Sequence, residues 1–137
     1  MRRALVLVLL LGLATFGQDE VRFRAIDVFV DAGDAALGAW QVEIKGGDKA
    51  LIVGVEGGDG VFAKPPYYDP AALQGGRIVL ASFTTARGLQ PGRVRVARLH
   101  MQETGAVEYT VKPVAGAAEG GKRVAIKVQL VPLGEKR

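Results

Sequence analysis

The chain contains no cysteine, and this absence removes several classes of protein from consideration. Without cysteine there is no disulfide bond, no thiolate metal site and no cysteine nucleophile. A bacterial lipoprotein needs a cysteine at its cleavage site, so a lipid anchor of that kind is also excluded. The chain must therefore be stabilised by its own hydrophobic core, for which about 120 residues are sufficient.

Side chains that commonly act in catalysis or metal binding are also scarce. His100 is the only histidine and Ser82 the only serine. The strand parity of His100 is opposite to that of Leu99 and Met101, which predicts a solvent-facing ring without a second histidine to share a metal ion. Ser82 lies in an apolar run, and no nucleotide-binding or Gly-x-Ser-x-Gly motif occurs. We therefore predict that the protein is not an enzyme and has no catalytic residue, cofactor or metal.

Charge of neither sign is in large excess. The chain has 18 basic and 14 acidic residues, and without Arg2 and Arg3 the net charge falls from +4 to near +2. Such a balance predicts no nucleic-acid partner. Four arginines do lie close together in the sequence, at Arg87, Arg93, Arg95 and Arg98. A solvated sheet face explains them more simply than an anion site, which remains an alternative.

The longest apolar run is too short to cross a membrane as a helix. It covers residues 4–14, which is 11 residues, whereas a spanning helix needs about 20. Arg2 and Arg3 precede this run, and small residues and a polar segment follow it. That order predicts a secretory signal peptide over residues 1–17 and an extracytoplasmic domain over residues 18–137, periplasmic or secreted. We expect no membrane span after cleavage of the signal.

Alternation of apolar and polar residues dominates the rest of the chain. The alternating segments read RAIDVFVD, AWQVEIK, ALIVGVEG, RVRVARLHM, AVEYTVK and KRVAIKVQLV. Glycine-rich turns separate them, KGGDK and QETGA are candidate hairpin loops, and a change of parity near Ala97 predicts a β-bulge. RIVLASF is apolar almost throughout, which indicates a strand covered on both faces. Together these patterns predict an all-β fold, a single jelly-roll or immunoglobulin-like β-sandwich of about seven to nine strands.

The segment KPPYYDP offers the best candidates for ligand binding. Pro65 and Pro66 stiffen the backbone immediately before two tyrosines. Consecutive side chains of an extended segment point in opposite directions, so one tyrosine can pack under the loop while the other is displayed. Packing is the simpler interpretation of the pair, but a stiff aromatic loop also suits a sugar or protein ligand. The predicted ligand-binding residues are Tyr67, Tyr68 and Asp69.

Carboxylates in the turns leave two further alternatives open. Asp31, Asp34, Asp48 and Asp59 lie in or beside glycine-containing turns, and such loops sometimes hold calcium. None of these stretches has the dense spacing of a dedicated calcium loop, and turn aspartates commonly accept hydrogen bonds from their own backbone. A glycosidase would need two carboxylates at a defined separation, which the sequence does not supply.

The order of the segments resembles that of cohesin modules. DVFVDAGDAALGAWQVEI resembles their opening, an edge strand followed by a short loop, a small-aromatic pair and a second strand. GRIVLASFTTARGLQPGRVRVARLHMQ resembles the part in which a buried strand leads through a glycine loop to another strand. The resemblance covers roughly residues 21–131 and rests on pattern and segment order. It implies a jelly-roll sandwich, shared with bacterial carbohydrate-binding modules, and a non-catalytic binding domain outside the cytoplasm.

Three functional hypotheses follow from the sequence. The first is an exported, non-catalytic, cohesin-like module that acts by protein–protein interaction through an exposed sheet face. The second is a carbohydrate-binding module that uses Tyr67 or Tyr68. The third is a small envelope hydrolase with carboxylate catalysis. The expected partner is thus a protein or a polysaccharide. The sequence does not indicate whether the protein is a monomer or an oligomer.

Overall fold

Antiparallel β-strands make up most of the computed structural model, which describes residues 20–134. The strands are β1 (Val21–Lys45), β2 (Ala50–Gly57), β3 (Arg77–Phe83), β4 (Pro91–Thr104), β5 (Thr110–Ala118) and β6 (Lys127–Pro132). Two 3₁₀-helices, Gly60–Phe62 and Pro70–Ala72, lie between β2 and β3. The all-β class predicted from the sequence is confirmed. The predicted signal peptide, residues 1–17, lies outside the described residues.

Strand β1 is shared by two halves of a curled sheet. Its first half pairs with β4 and β6, and β2 adds to β4, which gives the order β2-β4-β1-β6, here called the first half-sheet. Its second half lies between β3 and β5, which gives the second half-sheet, β3-β1-β5. Between residues 20 and 134 no helix has the length and hydrophobicity needed to span a bilayer.

The bend in β1 lies where the sequence predicts a turn between two strands. The register with β4 shifts between Asp31 and Ala36, and Gly33 has a φ of 71°, a conformation that favours glycine. The Gly33 N–H donates to Asp31 Oδ1 at 2.7 Å, which fixes the bend locally. Because the backbone continues through the bend, β1 is one strand of 25 residues. The described chain therefore has six strands, fewer than the seven to nine expected.

Both segments predicted as hairpin loops connect different half-sheets instead. KGGDK leads from β1 in the second half-sheet to β2 in the first, and QETGA leads from β4 in the first towards β5 in the second. Turn chemistry indicated correctly that the chain reverses there, but not which strands pair. The predicted β-bulge near Ala97 is confirmed, because the residues paired with Val28 and Phe29 are Ala97 and Arg95.

Alternate residues of β1 form the centre of the core. The side chains that face inward along the whole strand are Ile26, Val28, Val30, Trp40, Val42 and Ile44. They belong to one cluster of buried residues to which both half-sheets contribute. The Trp40 ring meets the Phe62 ring edge-on, with centroids 6.4 Å apart, so the first 3₁₀-helix also packs into the core. The period-two pattern of the sequence thus identified the buried face of β1 correctly.

A charged cluster closes one end of this core. Glu103 of β4 is fully buried, and its carboxylate accepts hydrogen bonds from Arg22 at 2.9 Å, Arg24 at 2.8 Å and the Tyr109 hydroxyl at 2.7 Å. Burial raises the pKa of Glu103, but the hydrogen bonds from Tyr109, Arg24 and Arg22 outweigh it and hold the pKa below its ordinary value. Burial and the bond to Glu103 raise the pKa of Tyr109, so its hydroxyl stays protonated and donates. The cluster ties the start of β1 to β4 and to the segment before β5.

Replacing Glu103 tests the stabilising role of this cluster. Glu103→Gln removes the buried carboxylate from the partly buried Arg24 and the exposed Arg22, so we expect a loss of about 1–3 kcal/mol in the free energy of unfolding. Glu56 lies in an exposed pair with His100, so Glu56→Gln should leave the free energy of unfolding nearly unchanged. Urea unfolding of both variants at neutral pH measures the difference, and equal losses would contradict the account.

The same variant predicts a change in acid stability. Because the folded pKa of Glu103 is lowered, its contribution is present above the unfolded pKa of about 4.3 and is lost as the pH falls through the folded value. Wild-type stability should therefore decline more steeply below about pH 5 than that of Glu103→Gln. Unfolding curves between neutral and acid pH give the two slopes, and parallel slopes would show that Glu103 is not a stabilising carboxylate.

Candidate functional site

The KPPYYDP loop is hydrogen-bonded to the edge of β3. The Tyr67 N–H donates to the Ala81 carbonyl at 2.8 Å, and the Ala81 N–H donates back to the Tyr67 carbonyl at 3.0 Å. This pair of bonds is an isolated antiparallel bridge next to a strand that otherwise pairs only with β1. Pro66, immediately before the bridge, is buried. The loop is thus held at the sheet edge by both its backbone and its packing.

The three predicted ligand-binding residues divide into three different roles. Tyr67 shares the outward face of Ala81, because paired residues point to the same side of a sheet, and its side chain is 70% exposed. Tyr68 points the other way and packs against the core. Asp69 is exposed and accepts a hydrogen bond from the Ala71 N–H at 2.9 Å, which caps the second 3₁₀-helix. Of the three, Tyr67 is the residue displayed for contact.

Phe83 is a second exposed aromatic residue beside Tyr67, and sequence reasoning missed it. It lies on β3 two residues after Ala81, on the same outward face, and is 62% exposed. Diagonal neighbours of this kind have Cα atoms about 7–8 Å apart. The signal was available, since Ile78 and Leu80 face inward by parity and Phe83 therefore faces outward. The almost continuous apolar run concealed it, because such a run also fits a strand covered on both faces.

Small side chains surround the two aromatic rings. Across β1, Ala39 lies opposite Phe83 and Gln41 lies opposite Ala81. On the far side of β1, Ala39 also faces Ala117 of β5, and Gln41 faces Ala115. We call the outer surface formed by these residues the Tyr67–Phe83 face, defined by Tyr67, Val79, Ala81, Phe83, Ala39, Gln41, Ala115 and Ala117. It is a sheet surface with an aromatic edge and a floor made mostly of alanine.

A shallow depression lies in the floor of this face. It has a volume of about 320 Å³, and Ala39, Gln41, Ala81 and Ala117 are among the residues that line it. Arg123 lies at its margin, in a segment that bridges to β5 opposite Ala117. Gln41 and Arg123 are the polar side chains among the lining residues. The depression is therefore apolar at its centre, with one cation at the edge.

Besides Arg123 at the margin, this surface carries a group of charged side chains at one end of the strands, around Glu43. Glu43 accepts a hydrogen bond from Arg77 at 2.8 Å and lies 3.2 Å from the Lys45 ammonium. The hydrogen bonds from Arg77 and Lys45 lower the pKa of Glu43. Glu43 offsets one of these two cations, so together with Arg123 these side chains carry a net positive charge.

Of the four arginines that lie close together in the sequence, Arg93, Arg95 and Arg98 lie on β4 with His100, on the outer surface of the first half-sheet, whereas Arg87 lies near Gly120. Arg98 donates to Asp27 at 2.7 Å and Arg95 donates to Asp59 at 2.8 Å. His100 faces outward as predicted and lies 2.7 Å from Glu56, whose pKa is lowered by that hydrogen bond. These pairs balance charge along β4. Within residues 20–134 no group of three or more His, Asp or Glu side chains is arranged to hold a metal ion.

Comparison with known proteins finds no match, since no family model, no curated protein and no solved structure is similar to this chain. The resemblance to cohesin modules therefore stays a prediction.

Truncation of each tyrosine distinguishes the displayed ring from the packed one. Tyr67→Ala changes a mostly exposed side chain, so we expect a change within about 0.5 kcal/mol in the free energy of unfolding. Tyr68→Ala removes a ring that packs against the core and should cost about 1–3 kcal/mol. Chemical denaturation measures both values. A larger loss from Tyr67→Ala than from Tyr68→Ala would reverse the assignment of the two rings.

Proposed function

We propose that the protein is an exported, non-catalytic binding module that acts by protein–protein interaction through the Tyr67–Phe83 face. The observation that carries the proposal is the display of two large aromatic side chains on one sheet surface next to a floor of small residues. Aromatic residues are enriched in protein interfaces, and exposed tyrosines often dominate binding energy. Two exposed aromatic side chains add little stability to a surface that remains fully solvated, so their display indicates a partner.

The composition of the face favours a protein over a sugar as the partner. A site for a small polar ligand needs several converging polar groups to satisfy the hydroxyls that it desolvates. The Tyr67–Phe83 face offers Gln41 at its centre and Arg123 at its margin, while its other central residues are alanines. An apolar centre with polar residues at the margin is the usual anatomy of a protein interface.

The finer architecture and the location belong to the same proposal. We propose a jelly-roll or immunoglobulin-like β-sandwich in which the two half-sheets face each other, as in cohesin-like modules. Both half-sheets contribute residues to a single buried cluster, which supports this arrangement.

The leader pattern of residues 1–17 supports export to the periplasm or the medium. The scarcity of histidine and serine and the absence of cysteine in the sequence support a non-catalytic role.

The interaction proposal is tested by capture with matched variants. Immobilised wild-type protein is incubated with the secreted fraction of its own cells, in parallel with Tyr67→Ala, Phe83→Ala and Phe23→Ala. Phe23 is the control because it is 70% exposed, as Tyr67 is, but lies on β1 opposite Gln102 of the first half-sheet. We expect one partner to be lost with either face variant and retained with Phe23→Ala, and binding of that purified partner to weaken at least tenfold, since a hot-spot residue contributes about 2 kcal/mol or more.

Two outcomes would contradict the interaction proposal. Retention of the partner by both face variants would remove the Tyr67–Phe83 face from its binding. Equal loss with all three variants would indicate a general effect of removing exposed aromatic residues. Far-ultraviolet circular dichroism of each variant confirms that its strands are intact.

Carbohydrate binding is the second candidate, and the bridge between Tyr67 and Ala81 favours it. Those two hydrogen bonds and the preceding prolines hold the ring in place at low entropic cost, which suits stacking on the apolar face of a sugar. In sedimentation assays with insoluble cellulose, chitin and xylan, Tyr67→Ala should abolish binding, whereas Tyr67→Phe keeps the ring and should retain most of it. Binding that survives Tyr67→Ala, or no binding by the wild type, would reject this candidate.

A further inference from the structure

The outer edge of β6 differs from the other edges of the sheet. The edge of β2 is hydrogen-bonded to residues 74 and 75, since the Gln74 N–H donates to Ile52 at 2.7 Å and Ile52 donates to Gly75 at 2.9 Å. Tyr67 covers the edge of β3. Part of the β5 edge is covered by residues 122–124, through bonds from Ala118 and Val124. Among the described residues no segment pairs with the far side of β6, which is hydrogen-bonded to β1 alone within the sheet, although β5 also lies close to it.

The direction of the backbone groups of β6 follows from one hydrogen bond at its end. The Leu133 N–H donates to the Ala25 carbonyl at 2.9 Å, and the pairing of β6 with β1 continues from there without a register shift. In an antiparallel ladder hydrogen-bonded pairs alternate with non-bonded pairs. Lys127, Gln129 and Val131 therefore bond towards β1. The N–H and carbonyl groups of Val128 and Leu130 point away from β1, towards the unpaired edge.

This free edge is complementary to itself in one register. If two copies of β6 run antiparallel with Gln129 opposite Gln129, Val128 of each copy lies opposite Leu130 of the other. Both residues present outward N–H and carbonyl groups, so the two pairs exchange four hydrogen bonds. Shifting the register to place Leu130 opposite itself would bring Val128 opposite Pro132, which has no N–H to donate. Shifting it the other way would bring Leu130 opposite Ile126, which precedes the strand, so the register centred on Gln129 is the one that pairs outward groups within β6 alone.

The side chains fit the same register. Val128 and Leu130 are only partly buried in one chain, on the side of β6 that packs against the core. Opposite each other across the seam, they would complete that apolar row. On the outer side Lys127 of one copy would lie opposite Val131 of the other, so no like charges face each other. Lysine and proline at the two ends of β6 limit the pairing to a short segment, as is common at sheet edges.

We propose that two copies of this protein associate through β6, by antiparallel pairing centred on Gln129. The two first half-sheets then form one continuous sheet of eight strands around a two-fold axis. This surface lies outside the Tyr67–Phe83 face, so the dimer would present two copies of that face. The inference is independent of the proposed binding function, because it rests only on the edge of β6.

A single introduced cysteine tests the register directly. The chain has no cysteine of its own, so Gln129→Cys creates one thiol per copy. Residues opposite each other in a non-bonded antiparallel pair have Cα atoms about 4.5 Å apart, within the range of about 4.4–6.8 Å that a disulfide requires. Oxidised glutathione should therefore convert the full chain carrying Gln129→Cys largely into a covalent dimer.

Lys127→Cys is the matched control, because Lys127 is on the same strand face and equally solvent-facing. In the proposed register the two copies of residue 127 are offset by four residues, about 13 Å along the strand. We expect several-fold less covalent dimer from this variant at equal protein concentration. Equal yields from the two variants, or no dimer from either, would overturn the proposed register.

Backbone substitution provides a second test that does not depend on oxidation. Val128→Pro removes an outward N–H without removing a bond to β1, whereas Val128→Ala keeps that N–H. Sedimentation equilibrium of the wild type and of Val128→Ala should show a concentration-dependent dimer, and Val128→Pro should remain a monomer of intact strand content. A wild-type chain that stays monomeric at every concentration would refute the proposal. The β6 edge would then be available for pairing with a strand of another protein.

Discussion

The continuity of strand β1 is the constraint on which the rest of the structure depends. β1 holds β4 and β6 along its first half and β3 and β5 along its second, and of the strands within residues 20–134 only β2 lacks a direct pairing with it. Its inward side chains contribute to the core on both sides of the bend at Gly33. In both halves of this 25-residue strand the even-numbered side chains face inward. If the bend shifted the alternation by one residue, the apolar side chains of one half would face outward, so the bend must change the direction of the backbone without that shift. Glu103 then fixes the start of this strand through Arg22 and Arg24.

The candidate binding surface is a consequence of the same alternation. Once Ile78 and Leu80 are buried, Ala81 and Phe83 must face outward, and the bridge to Ala81 makes Tyr67 do so too. The surface is therefore defined by backbone pairing rather than by a flexible loop, which keeps its aromatic side chains at a defined separation. The same logic assigns Tyr68 to the core. A rigid face of this kind suits recognition of a preformed partner surface.

Local pattern predicted much of this structure, and long-range pairing explains what it missed. The inward row of β1, the bulge near Ala97 and the outward His100 follow from period two and from parity, which are local properties. The continuity of β1 was missed because Asp31 and Gly33 have turn chemistry, which a bend within a strand also uses. KGGDK and QETGA were misassigned as hairpins because a turn does not determine which sheet its second strand joins. Glu103 was predicted to lie in a turn because it stands near Gly105. Its contacts with Arg22 and Arg24 of β1 are distant in the sequence, so no local pattern indicates them.

Hydrogen exchange along β1 tests most directly whether one shared strand organises both half-sheets. In native-state exchange with low denaturant, amides of Val28 in the first half and Val42 in the second should open with the same free energy, equal to that of global unfolding. Both residues are fully buried, so neither value is lowered by surface fraying. If the amide of Val42 exchanged through a separate opening of lower free energy while that of Val28 stayed protected, the two half-sheets would be independent units. The account based on a single continuous strand would then be wrong.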